Sequence, residues 1–417
     1  MLQVRATGKR SHEAYTEALA SVAKRFKSSE EQEAVLTSFP AYNEVRCQLS
    51  RHRATRCIPV PDPLCIPDAL RTTLRGQSVS DDDVNKNEPF LLHSGQDGKL
   101  LVFCAATELA ILHQSEFLIG DGTFEMAPDS AYQLYTIHGM FKGEGMALMW
   151  ALLPNKTIST YMELFGSLRS SLVSAFGDIG SIKTFVTDFE LATIKSIQEV
   201  FPECVVKGCT FHFRQAVMRH VQQEGLKQEY ERTESGIHSW VRQIMAMTLL
   251  PAFAIPLAWN FLKLPPSTGH QGTNLKAQVF ASYIDNTWIN GNFPPSVWSH
   301  FDNLGPRTTN LAEGWHNGLN SHFGMPHPSL KCFLDWLQKC QYEVQCRGLQ
   351  LAAGRPAKTR SAVYQRLDDS IMSAKMRYNM AVGNIMLQIL QLPTEVLNES
   401  FRQATVQYLS YISHLIG

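Results

Sequence analysis

The chain has 417 residues, with 38 Lys+Arg balancing 38 Asp+Glu for a formal net charge of zero, and nine cysteines. Overall charge therefore gives no support for nucleic-acid binding, and any such contact has to come from local patches. The cysteines are scattered and odd in number, which argues against a disulfide-stapled scaffold and fits a reducing compartment.

The opening "MLQVRATGKRSHEAYTEA" has charges where an export signal needs an apolar run, so export is not expected. Residues 1–98 read as a helical and basic region with a linker. A helix is expected over 11–27, followed by "VRCQLSRHRATRC" with Arg51, Arg53 and Arg56, and then by the proline-rich "IPVPDPLCIPDAL". The basic stretch is either a solvated face or an arm that contacts phosphates.

From Lys99 the pattern changes. "LLVFCA", "EFLIGDGTFEM", "YQLYTIHGMF" and "GMALMWALLPN" are short apolar or alternating runs separated by Gly, Asp or Pro, the signature of consecutive strands. A helix follows, with Tyr161, Leu164, Phe165, Leu168, Leu172 and Phe176 at helical spacing and Gly177 as its stop. "IKTFVTDFE" reads as a strand, "ELATIKSIQEVFP" as a helix ended by Pro202, and "CVVKGCTFHF" as another strand. The order predicts an α/β fold, a mixed sheet flanked by helices. Beyond it the chain reads as mostly helical. "IMAMTLLPAFAIPLAWNFL", from Ile244 to Leu262, holds Pro251 and Pro256 and is expected to form buried helices broken at the prolines, not a membrane span.

Two aspartates stand where predicted strands end. Asp121 follows "FLIG", and Asp188 follows "FVT". Carboxylates delivered by two strands of one sheet can share a cation, and hard divalent ions take oxygen ligands. Glu313, on a helix in "TNLAEGWHNGLNSHFG", is the candidate third carboxylate. Each has a plain structural alternative: Asp121-Gly122 as a turn, Asp188 as a helix cap, and Glu313 as a capping-box partner of Asn310.

"FLIGDGTFEMAPDSAYQLYTIHGMFKGEGMALMWALLPNKTISTYMELF", "FVTDFELATIKSIQEVFPECVVKGCTFHFRQA" and "TTNLAEGWHN", in this order, resemble the Mutator-like element (MULE) transposase domain. The resemblance covers about residues 50–370. It implies an RNase H-like five-stranded mixed sheet interrupted by an all-helical insertion. The core would occupy 99–214 and 305–370, the insertion 215–304, and a C-terminal helical region 371–417. It implies a DDE triad of Asp121, Asp188 and Glu313 holding two Mg²⁺ or Mn²⁺ ions, which would hydrolyse transposon ends and join the freed 3′-OH to target DNA in the nucleus. A homo-oligomer is the family's expectation, without a membrane partner. A non-catalytic DNA-binding regulator derived from a transposase is the alternative, and a simple nuclease of the same fold is a third reading.

Cys209 and His212 form the CxxH of "GCTFHF", which also matches the family. Two ligands are half of what a zinc ion takes, and His220, His238 and His270 lack paired spacing to complete the set. A packed Cys209 and a hydrogen-bonding His212 are the expected roles, with Zn²⁺ as the alternative. His316 lies one turn after Glu313 on the same helix face. "AAGRPAKTRS", with Gly354, Arg355, Lys358 and Arg360, is a candidate DNA contact of the minor-groove hook kind, and Arg51, Arg53 and Arg56 are a candidate backbone contact. Cys47, His52, Cys57 and Cys65 lack the paired spacing of the zinc-binding end-recognition module that many relatives carry.

Overall fold

A computed structural model describes residues 66–358, 361–387 and 393–416. After two short helices, Asp68–Arg71 and Leu74–Ser78, come β1 (Leu91–Ser94), β2 (Leu101–Phe103) and helix α1 (Ala106–Gln114). Then follow β3 (Phe117–Thr123), β4 (Gln133–Phe141), β5 (Glu144–Leu153), α2 (Ile158–Phe176), β6 (Thr184–Thr187), α3 (Leu191–Val200) and β7 (Val205–Gly208). The helical stretch includes α4 (Thr210–Gln223), α5 (Gly236–Ala246), α6 (Ala254–Leu262) and α7 (Gln271–Ile284). The chain closes with α8 (Asn310–Phe323), α9 (Leu330–Ala352), α10 (Ala362–Leu387) and α11 (Thr394–Leu415).

The sheet has seven strands in the order β1-β2-β5-β4-β3-β6-β7, two more than the five expected. The additions are β1 and β2, which continue the antiparallel half beyond β5. "LLVFCA" had the composition of a strand, but β1 is a four-residue edge strand too short and too exposed to show a period. The last two pairings, β3 with β6 and β6 with β7, are parallel, as helical crossovers require.

Periodicity explains α2. Tyr161, Leu164, Phe165, Leu168 and Leu172 are all buried, and Gly177 adopts the left-handed conformation (φ 89°) that stops the helix without a Cβ penalty. Phe176, expected on the same stripe, is instead largely exposed and lies 4.4 Å, ring to ring, from His113. One face of the sheet packs on α1, α2 and α3 through Leu118, Tyr135, Ile137 and Phe185. The other packs on α8 and α9 through Leu134, Trp150, Leu319 and Leu337.

A third core is purely helical. It joins residues between Phe213 and Phe301 to Ile371, Tyr378, Leu409 and Ile412 of the last two helices. In the 244–262 stretch, α5 passes through a 3-10 turn (Met247–Leu249) and breaks at Pro251 before α6. Among the described residues no helix is long and apolar enough to cross a membrane.

His300 ties this helical core to the sheet. Its Nε2 donates to the Gly208 carbonyl (2.7 Å), which leaves Nδ1 to accept from Asn303 Nδ2 (2.9 Å). The Lys375 ammonium donates to the carbonyls of His300 and Phe301, both at 2.7 Å. Burial holds the His300 imidazole neutral, its pKa lowered to about 3. In the unfolded chain the same group takes up a proton near pH 6.5, so below that pH the unfolded state binds more protons and stability falls. Urea denaturation at pH 5 should therefore show a loss on the order of 1–2 kcal/mol from this residue relative to pH 7.5. In His300→Gln that share of the pH dependence disappears, while stability at pH 7.5 is lower.

Candidate active site

Strand register does the first part of the assembly. In the parallel pair, Leu118 lies beside Phe185 and Ile119 beside Val186. Continued two residues, past the last paired positions and the end of β6 at Thr187, the same register brings Asp121 level with Asp188, whose carboxyl feels the Asp121 charge. Asp121 is inside β3 and opposite Thr136 of β4, so Asp121-Gly122 is no turn. The flanking glycines face the other way. A Cβ on Gly120 would run into the Tyr135 hydroxyl, and one on Gly122 into the Gln133 amide, so close packing behind the strand requires glycine on both sides of the acid.

Helix α8 brings the remaining acid. It packs across β3, β4 and β5, with Leu311 filling the space that the missing side chain of Gly145 leaves. Its N-cap is Thr309, so Glu313 is the fourth residue of the helix and does not form the capping box expected with Asn310. Glu313 instead accepts from the Thr309 hydroxyl (3.3 Å) and lies 3.6 Å from His212 Nε2. One turn on, His316 is buried, its Nδ1 3.3 Å from Asp121 Oδ2. The helix thus spans the two aspartates' neighbourhood with an acid and a base three residues apart.

A second row of polar groups stands behind Asp121. His316 Nε2 is 3.2 Å from Thr136 Oγ1, which is 3.1 Å from His138 Nε2. Burial keeps His138 neutral, with a pKa lowered to about 3, assisted by the charge of His316. One proton assignment gives each donor one acceptor. His138 Nε2–H donates to Thr136, the Thr136 hydroxyl to His316 Nε2, and His316 Nδ1–H to Asp121. Neither Thr136 nor His138 was singled out in the sequence. "YTIH" follows strand alternation, and nothing local shows that its polar residues turn inward beneath α8.

Asp188 is partly buried, and desolvation followed by the charge of Asp121 raises its pKa above the usual carboxylate range. It accepts from the Thr187 hydroxyl (3.4 Å) and the Glu190 amide (3.3 Å), while the N-cap of α3 is Glu190 itself. Glu190 shifts the same way, through burial and then Asp188, and the Lys156 charge opposes the rise.

Cys209 and His212 begin α4. Burial pushes the Cys209 thiol up, but His212 and Thr309 outweigh it and hold the thiol below its usual range. The Thr309 amide and hydroxyl both point at the sulfur, at 3.3 and 3.5 Å. The His212 pKa is raised to about 9, first by Cys209 and further by the charges of Asp121 and Asp188, against the effect of burial. His212 Nδ1 is buried without a partner of good hydrogen-bond geometry, so the sulfur acts on it by charge and proximity. At neutral pH His212 is therefore a cation facing three carboxylates. His220, His238 and His270 stay apart: His220 stacks on Tyr283, His238 hydrogen-bonds the Tyr230 carbonyl, and His270 precedes α7.

The loops that carry these groups are anchored in aromatic packing. Phe189, next to Asp188, meets Trp288 edge-on at 4.8 Å and Phe293 at 5.2 Å, and Phe213, next to His212, packs on Trp288 at 4.7 Å. The site thus borrows its rigidity from the helical core, a dependence the sequence does not display because Trp288 is about 75 to 100 residues away.

The basic candidates separate from the acids. Arg355 and Lys358 lie in the loop after α9, where the Lys358 amide donates to Glu144 Oε2 (3.0 Å) and Arg347 pairs with the same carboxylate. Glu144 begins β5 at the hairpin end of the sheet, the end opposite Asp121. The loop proposed as a DNA contact is thus held at the hairpin end of the sheet, away from the acids. Arg51, Arg53, Arg56 and Arg360 lie outside the described residues, as do Cys47, His52, Cys57, Cys65 and the helix expected over 11–27.

Two carboxylates on one sheet face, with a third on a crossing helix, supply the oxygen donors a hard divalent ion requires. Asp121 is buried and the Asp188 and Glu313 carboxylates are partly buried near it, which fits such an ion. They are not yet closed around one: among the described residues no three His, Cys, Asp or Glu side chains are arranged to hold a metal. His212 and His316 stand beside the carboxylates instead.

The fold and site define a mixed α/β protein with an acidic centre at the end of its parallel strands. Residues 117–216 match the family model described as the MULE transposase domain. The matched stretch runs from β3 into α4 and includes Asp121, Asp188, Cys209 and His212, but not Glu313 or His316. No curated protein matches the chain.

Gly208 allows Phe189 to pack, since a Cβ there would strike the Phe189 ring. Gly208→Ala should displace the Asp188 segment and cost about 1–3 kcal/mol of stability by overpacking, measurable by urea denaturation.

Proposed function

We propose that the chain is a DDE-type transposase, or a protein derived from one, whose Asp121, Asp188 and Glu313 hold two divalent ions, Mg²⁺ or Mn²⁺, for phosphodiester chemistry on DNA. The observation that carries this reading is the parallel register that sets Asp121 beside Asp188 within the matched domain, with Glu313 brought to their common counter-charge, His212. The order and direction of the strands from β5 to β7 also support an RNase H-like core, with β1 and β2 as an extension.

Such ions, when bound, acidify a water or 3′-hydroxyl nucleophile and stabilise the leaving oxygen of an in-line displacement. The protein's own groups have definable tasks. His316, backed by Thr136 and His138, fixes the orientation of the Asp121 carboxylate. His212 and Thr309 hold the Glu313 carboxylate until it turns to a ligand position. Cys209 favours the protonated form of His212, whose positive charge offsets the neighbouring carboxylates.

The regulator reading draws on a specific observation as well. The carboxylates are already served by histidines, and among the described residues no three donors converge. Mn²⁺ separates the two. On the catalytic reading, Mn²⁺ raises the melting temperature of the purified protein and supports nicking of labelled terminal-repeat DNA. Asp188→Asn abolishes both effects. Sequence-specific DNA binding with no Mn²⁺-dependent stabilisation or nicking would favour the regulator, and nicking without strand transfer would favour a simple nuclease.

A further inference from the structure

At the carboxylate end of the sheet two aromatic rings stand in solvent. Phe124 follows β3, three residues after Asp121, and is 44% exposed; Tyr132 precedes β4 and is 50% exposed. Their rings meet edge-on at 5.4 Å, and the Lys156 ammonium, from the turn after β5, lies 5.7 Å from the Phe124 centroid. Isolated exposed apolar residues are ordinary on a protein surface. Two in contact with each other and with a cation, beside an acidic centre, form a composite surface.

Their exposure is built in. The segment between the rings is pinned by Met126 and Ala127, both fully buried, and by His327, whose amide donates to the Glu125 carbonyl (3.0 Å) and whose Nδ1 lies 3.1 Å from the Ala127 carbonyl. The Tyr132 amide donates to the Leu153 carbonyl (2.9 Å). Rigid backbone on both sides holds the rings outward at positions where a polar residue would cost nothing. Lys156 also acts on Glu190, two residues beyond Asp188, which places the patch along the same edge as the acids. Phe124 lies three positions beyond Asp121, a distance of about 10 Å along an extended chain.

We propose that Phe124, Tyr132 and Lys156 form a stacking platform for unpaired bases of the DNA strand whose phosphate reaches the carboxylates. Every base has a face that stacks on an aromatic ring, so such a surface accepts a strand without reading its sequence. Lys156 supplies the positive charge for the neighbouring phosphate, which the acidic centre itself would repel. The platform rests on the DNA-processing reading above and adds to it that the strand is presented unpaired.

The test is equilibrium binding of the full chain, in EDTA, to two labelled probes: a blunt duplex, and the same duplex with a short unpaired tail containing 2-aminopurine. The wild-type protein should bind the tailed probe about tenfold more tightly, the order of one stacked base, and quench 2-aminopurine fluorescence. Phe124→Ala combined with Tyr132→Ala should keep blunt-duplex affinity and lose both the preference and the quenching, whereas Phe124→Trp retains them. Equal loss on both probes, or a preference that survives the double substitution, overturns the platform. Binding of both probes by the wild type with no preference also overturns it, leaving the DNA-processing reading intact. Failure to bind either probe overturns that reading and the platform with it.

Discussion

Two carboxylates held side by side on buried strands repel each other and lose hydration together, and the structure around them is organised by that cost. Parallel pairing of β3 with β6 leads both chains to their acids at the same end of the sheet, Asp188 just past the last residue of β6. Asp188 responds with a raised proton affinity, and histidines are drawn in from two helices. His316 reaches Asp121 from α8, and His212 feels both aspartates from α4. A buried charge is tolerated when paired and hydrogen-bonded.

The helical core serves this arrangement from a distance. Phe189 and Phe213 each follow a site residue and both end against Trp288, while His300 and Lys375 lock the segment after Trp298 to the end of β7. Aromatic packing of this kind fixes direction because rings have few torsions and interlock at preferred angles. Positions of Asp188 and His212 are thereby set by residues that touch neither. The long stretch between β7 and α8 consequently has a mechanical role in the fold, as well as returning the chain with Glu313 to the sheet.

Polar groups beneath α8 add a finer level of control. Thr136 sits directly opposite Asp121 in the β3–β4 ladder and links His316 to His138. A carboxylate whose rotamer is held by a hydrogen-bonded chain is oriented before any ligand arrives, which reduces the reorganisation needed to use it. The glycines on either side of Asp121 do the complementary steric work, letting Tyr135 and Gln133 close behind the strand.

The sequence by itself determined the central strands, the helices α2 and α3, the glycine stop at Gly177 and the set of polar residues worth attention, because alternation, helical spacing and turn chemistry are local. It also showed the motifs of the stretch from β3 to α4 that resemble the MULE domain, and the family model matches over 117–216. Tertiary structure decided the rest. The edge strand β1 carries too few residues for a period, and Phe176 leaves its stripe because the helix ends beside His113 instead of the core. Whether Asp121 was a turn, or Glu313 a cap, depended on neighbours 15 or more residues away: Thr136 across the ladder for the first, and His212 for the second. Arg355 and Lys358 look available in sequence, but the Glu144 carboxylate fastens their loop at the other end of the sheet. Local pattern fixes what a segment becomes; which side chains meet is set by packing between segments far apart in the chain, and one-dimensional spacing does not encode it.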